Sequence, residues 1–156
     1  MTTSKAQRYE EARSAILAIL TDEGGFELDV IARMATVASV LASAFETFFW
    51  TGFYRMIDGR LVIGPYNGTV GCLQIEIGRG VCGTAAEKHE TLIVADVETF
   101  PGHIACDSRS KSEIVVPVFD SGGQLIAVLD VDSDRLDAFD EEDRAGLESI
   151  CRSVFG

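Results

Sequence analysis

Apolar residues recur three and four positions apart at Ala6, Tyr9, Ala12, Ile16 and Leu20, which predicts an amphipathic helix over roughly 4–22 with Gly24 and Gly25 as its stop. The same spacing returns at Leu28, Ile31, Ala32, Ala35, Ala38, Leu41, Ala42 and Phe45, so a second helix carries the chain to about residue 47. From Phe48 the pattern changes. FFWTGFYRMI and LVIGPY are rich in aromatic and branched residues and are separated by Asp58 and Gly59, a hairpin signal. CLQIEI alternates apolar and polar positions as a half-buried strand does, and TLIVADV and SEIVVPVF read as further strands. QLIAVLDVDS follows a Ser121, Gly122, Gly123 turn and makes a second hairpin with SEIVVPVF, whereas GRGVCGTAAEKHE reads as a Gly-rich entry into a short helix. Asp140 is placed to cap a final helix over about 140–154, whose apolar stripe is Leu147, Ile150, Cys151 and Val154.

Helices, then strands, one short helix, more strands and a closing helix predict an α+β fold with a central antiparallel sheet flanked by helices. At 156 residues, with no repeat and no Pro-rich linker, one domain spans 1–156: helices to about 47, sheet and loops over 48–133, and the last helix. A composition 47% hydrophobic and 24% charged suits an ordinary globular core. The net charge of -12 argues against nucleic acid and anionic membranes as partners. MTTSKAQRYE lacks the apolar stretch of a signal peptide, and no run approaches the roughly 18 apolar residues of a membrane span, so a soluble cytoplasmic protein is expected.

Without an export signal the four cysteines are not read as a disulfide framework. Cys151 repeats the core periodicity of its helix and reads as a buried small hydrophobe. Cys106 lies in the irregular segment 96–112 near Arg109 and Lys111, which favours exposure and a stabilised thiolate; it is the best nucleophile candidate. Cys72 follows a Gly-rich turn, and Cys82 sits between Gly80 and Gly83 at a helix start, where backbone amides favour a thiolate; for both, packing and function stay open. A metal set of Cys72, Cys82, Cys106 and His103 lacks the compact spacing of CxxC pairs, so no metal is expected. His89 reads as a solvated helix residue.

Glu113, Asp130 and Asp132 interrupt strands otherwise built of Ile, Val and Leu, and Asp130 and Asp132 share a face. They mark either the solvent face of an edge strand or a pocket whose clustered carboxylates bind an ammonium group and keep one proton near neutral pH. Trp50 and Tyr54 also share a face, and by themselves read as core more readily than as a ligand wall.

Taken in order, GRGVCGTA, HIACDSRSKSEIVVPV and AVLDVDS resemble the free methionine-(R)-sulfoxide reductases, a family built on the GAF domain; the likeness runs from about Phe48 to Leu147. The resemblance implies a homodimeric enzyme that reduces the R epimer of free methionine sulfoxide, with thioredoxin as reductant and no cofactor. It assigns Cys106 as the catalytic cysteine, Cys72 as the resolving cysteine and Cys82 as the third. Glu113, Asp130 and Asp132 match the substrate-binding carboxylates, and Trp50 and Tyr54 the aromatics around the substrate methyl and sulfur. The family usually reads GPFQG where this chain reads GPYNG, so Tyr66 and Asn67 depart in the loop before Cys72. The implied chemistry is attack by a Cys106 thiolate, proton donation by Asp132 or Glu113, and a sulfenic acid that Cys72 converts to a disulfide. The alternative is a non-catalytic GAF module that senses a small ligand; such a module needs no paired cysteines and is usually fused to an output domain, for which this chain is too short.

Overall fold

A computed structural model describes residues 2–21 and 27–156. Gly24 and Gly25, the expected stop of the first helix, lie outside the described residues. Helix α1 runs Lys5–Thr21 and α2 Val30–Ala44. The second helix starts two residues after Leu28 because Asp29 caps it: its side chain accepts from the Ala32 N–H at 2.9 Å, and its own backbone is extended.

Strands β1 (Trp50–Ile57) and β2 (Arg60–Asn67) form the expected hairpin. Asp58 and Gly59 both take positive φ, 50° and 79°, the geometry whose twist matches the flanking strands. Then come β3 (Gln74–Ile75), α3 (Gly80–Lys88), β4 (Leu92–Val94), a 3-10 turn at Val97–Thr99, β5 (Ser112–Phe119), β6 (Leu125–Ser133) and α4 (Glu141–Phe155). The sheet order is β3-β2-β1-β6-β5-β4, with every neighbouring pair antiparallel.

Two expected strands are shorter than their patterns. CLQIEI contributes only Gln74 and Ile75, and TLIVADV only Leu92 to Val94. Both lie at sheet edges with a single partner strand, so little backbone pairing extends them. Cys72 lies before β3 and forms a disulfide with Cys106.

Side-chain alternation sends the residues of each central strand to two different cores. Phe53, Ile114, Val116, Leu129 and Val131 pack under α1, α2 and α4. Tyr54, Val115 and Val128 point the other way, where Val81, Cys82, Ala85 and Ala86 of α3 cover only part of the face. The same face holds the acids, with Cys82 of α3 against Glu113 and Asp130.

The far end of the molecule is tied by a buried polar network. Asp143, 2% exposed, completes a capping box with Asp140, accepts the Tyr9 hydroxyl at 2.6 Å and lies 2.9 Å from Lys5 Nζ. Tyr9 lies against Gly146, where a Cβ would have no room. Cys151 is buried in this core, as its periodicity predicts. No helix among the described residues is long and apolar enough to cross a membrane.

Candidate active site

Strand register assembles the site. Trp50 pairs with Asp132, and Asp132 with Glu113, which puts one aromatic and two acids in a row across β1, β6 and β5. The next row is Gly52, Asp130 and Val115. These are central strands, and Glu113 and Asp130 are 5% and 6% exposed, so the solvent-edge reading of the acids is wrong. Gly52 has no room for a Cβ because Trp50 and Tyr66 close over it.

Trp50 and Tyr54 are buried, as a core reading predicts, and also line a small pocket with Cys106, Asp130 and Asp132. The Trp50 ring stacks on Tyr54 at 5.9 Å and on Tyr66 at 5.1 Å; Tyr66 and Asn67 belong to β2 and not to a loop, and Tyr66 backs Trp50 from outside the pocket lining. The Trp50 indole N–H donates to the Thr69 carbonyl at 2.8 Å, and the Thr69 hydroxyl donates to Asp107 at 2.8 Å. Thr69 thereby joins the aromatic wall to the loop that carries Cys106.

Cys72 and Cys106 form a disulfide with a Cα separation of 5.4 Å, within the ordinary range for such a bond. Cys106 is exposed and Cys72 half-buried, so the bond is accessible from the pocket mouth. The expected support of a Cys106 thiolate by Arg109 is not formed in this state. Arg109 instead pairs with Asp107 through Nε at 3.1 Å and Nη2 at 2.8 Å, lies over the Phe49 ring, and holds the Asp107 carboxyl well below the usual carboxylate range.

Cys82 corrects a second expectation. It lies in the first turn of α3, yet points into the apolar face, 4% exposed, and donates to Glu113 Oε1 at 3.8 Å. Burial, followed by the nearby Asp130 and Glu113, pushes this thiol well up, so the anticipated thiolate is disfavoured. Loss of hydration outweighs the helix amides here. Gly83 keeps α3 pressed on the carbonyl of Glu76, with no space for a Cβ between them.

The three acids do not ionise together. Burial first, then the charge of Asp130, pushes Glu113 and Asp132 well above ordinary carboxylate values. Burial also raises Asp130, but hydrogen bonds from Glu113, Asp132 and Cys82 oppose the shift, which makes it the natural anion of the group. Its Oδ1 is buried without a protein partner, so only a proton held by a neighbour, or a bound cation, satisfies it. The Ser110 hydroxyl donates to Asp132 Oδ1 at 2.9 Å. His103 Nε2 lies 3.9 Å from Glu113 Oε2, and burial lowers its basicity, leaving it neutral.

Ser110 and Thr69 had no distinguishing signal in the sequence, and His103 stood out only as a metal candidate. The quartet of Cys72, Cys82, Cys106 and His103 does not form, since Cys72 and Cys106 bond to each other. A different trio, Cys82, Glu113 and Asp130, brings its ligand atoms within 4.8 Å of one another.

The GAF domain profile matches residues 27–154. GAF domain-containing protein A of Dictyostelium discoideum is 48% identical over 150 residues, covering 96% of this chain and 91% of that protein. The free methionine-R-sulfoxide reductase of Escherichia coli is 37% identical over 147 residues, covering 94% of this chain and 86% of the enzyme. The X-ray structure of free methionine-R-sulfoxide reductase from Neisseria meningitidis in complex with its substrate superposes with a TM-score of 0.90 at 42% identity, covering 99% and 90% of the two chains. Profile, sequence likeness and superposition agree over nearly the full length, and the chain belongs to the GAF domain family, within the branch of the free methionine-R-sulfoxide reductases.

Proposed function

We propose that this protein reduces the R epimer of free L-methionine sulfoxide to L-methionine, through a Cys106 sulfenic acid and a Cys72–Cys106 disulfide that thioredoxin reopens. The observation that carries the reading is a disulfide at the mouth of a pocket lined by Asp130 and Asp132, with Glu113 directly opposite Asp132 on the neighbouring strand and both Glu113 and Asp132 raised above ordinary carboxylate values by burial. The related enzymes of known structure act on the same substrate class.

Sulfoxide oxygen leaves only once protonated, and Glu113 or Asp132 can hold the required proton near neutral pH. The Cys106 thiolate attacks the substrate sulfur, the acid protonates the oxygen, and the hydroxyl passes to Cys106 as methionine departs. Cys72 then displaces that hydroxyl as water and forms the disulfide. Thioredoxin takes up the oxidising equivalent, so thiols supply both electrons and no bound cofactor enters. Trp50 and Tyr54 wall the methyl and sulfur. Asp130, with its unpartnered oxygen, holds the substrate ammonium. Cys82 accompanies the acids as a protonated thiol, and the enzyme works as a cytoplasmic homodimer.

A thiol count tests this directly. Reduced protein has four free cysteines, and the disulfide leaves Cys82 and Cys151, that is two. The R epimer should bring the count from four to two with release of methionine, while the S epimer leaves it at four. A ligand-sensing module would keep all four thiols with either epimer.

A further inference from the structure

We infer that Cys82, Glu113 and Asp130 form a binding site for a thiophilic divalent cation, zinc above all. Their ligand atoms lie within 4.8 Å of one another, and Cys82 Sγ is 3.8 Å from Glu113 Oε1. Zn–S and Zn–O bonds of about 2.3 and 2.0 Å set at a tetrahedral angle space such atoms by roughly 3.5 Å, so little movement closes the set around a metal.

The independent sign of a ligand is Asp130. The residue is 6% exposed, and its Oδ1 is buried without a hydrogen-bond partner. A buried carboxylate oxygen left so is costly, and a cation satisfies it together with its two neighbours. One thiolate with two carboxylates selects zinc over calcium or magnesium, which prefer all-oxygen sets. His103 Nε2 lies 3.9 Å from Glu113 Oε2, outside this trio. The ligands come from α3, β5 and β6, which is why no compact motif announces them. An occupied site denies Glu113 and Asp130 to the substrate, so zinc inhibits the reductase; that consequence rests on the proposed activity, whereas the binding does not.

The oxidised protein makes a clean test, because Cys72 and Cys106 are bonded and only Cys82 and Cys151 remain as thiols. Cobalt(II) titrated into chelator-treated, oxidised protein should give a thiolate-to-metal charge-transfer band at one equivalent, displaced by zinc. The band should persist in Cys151→Ala, vanish in Cys82→Ser, and require at least roughly tenfold more metal in Asp130→Asn and Glu113→Gln. The site is rejected if oxidised protein gives no band, if the band survives Cys82→Ser, or if it appears only after reduction and is lost in Cys72→Ser. None of these readouts uses turnover, so failure here leaves the proposed activity standing.

Discussion

Glu113 and Asp132 stand directly opposite each other on β5 and β6, and the Ser110 hydroxyl donates to Asp132 alone. The pair is therefore unequal. Ser110 opposes protonation of Asp132, while Glu113 faces the Cys82 thiol and a neutral imidazole.

The inequality has a measurable effect on stability. In the unfolded chain Glu113 ionises near about 4.3, whereas in the folded protein it keeps its proton well above that. The folded state then binds more protons than the unfolded one, so stability falls as pH rises from about 4 toward neutrality. Glu113→Gln removes the penalty. Its Tm should exceed that of the parent at pH 7 by roughly 2–4 °C for each kcal/mol relieved, and the gap should close near pH 4. Thermal melts from acid to neutral pH in the presence of a chelator check this; a Tm lowered at neutral pH, with the deficit shrinking in acid, would mean an ionised, paired Glu113.

Cys106→Ser should release no methionine even in a single turnover, because the attacking sulfur is gone. Cys72→Ser should still release about one methionine per site and then stall with thioredoxin, since the sulfenic acid lacks its partner. Quenched single-turnover assays decide, and the reverse pattern would exchange the two roles.

Acetylating the substrate amine deletes the charge that Asp130 is proposed to hold while leaving the sulfoxide intact. In so buried a site the lost pairing should cost about 3–5 kcal/mol, a drop of roughly a hundredfold or more in kcat/KM. An exposed ion pair would change it by only about 0–1 kcal/mol, so comparable kcat/KM for free and acetylated sulfoxide would reject the ammonium contact.

Cys151 belongs to the helical core, 4% exposed, and its burial pushes the thiol up to about 12. Cys151→Ala should lower stability by roughly 1 kcal/mol and leave thioredoxin-dependent turnover unchanged. Denaturant titration paired with a turnover assay measures both, and lost turnover at full stability would place Cys151 in the redox relay.

Element order, the Asp58–Gly59 turn, the Asp140 cap and the burial of Cys151 were legible in the sequence, because periodicity, turn chemistry and capping act over a few residues. The resemblance carried by three motifs added the family and the candidate acids and thiols. Tertiary structure decided how those groups behave. Trp50, Asp132 and Glu113 meet only because β6 lies between β1 and β5. The same sheet order buries the acids, which is what keeps protons on Glu113 and Asp132. Cys82 looked like a thiolate from its helix start, but the face to which α3 turns it set the outcome, since desolvation depends on everything packed around a side chain and on nothing adjacent in the chain. Ser110, Thr69 and the unpartnered Asp130 oxygen gain meaning in the same way, from neighbours that folding brings from far along the chain.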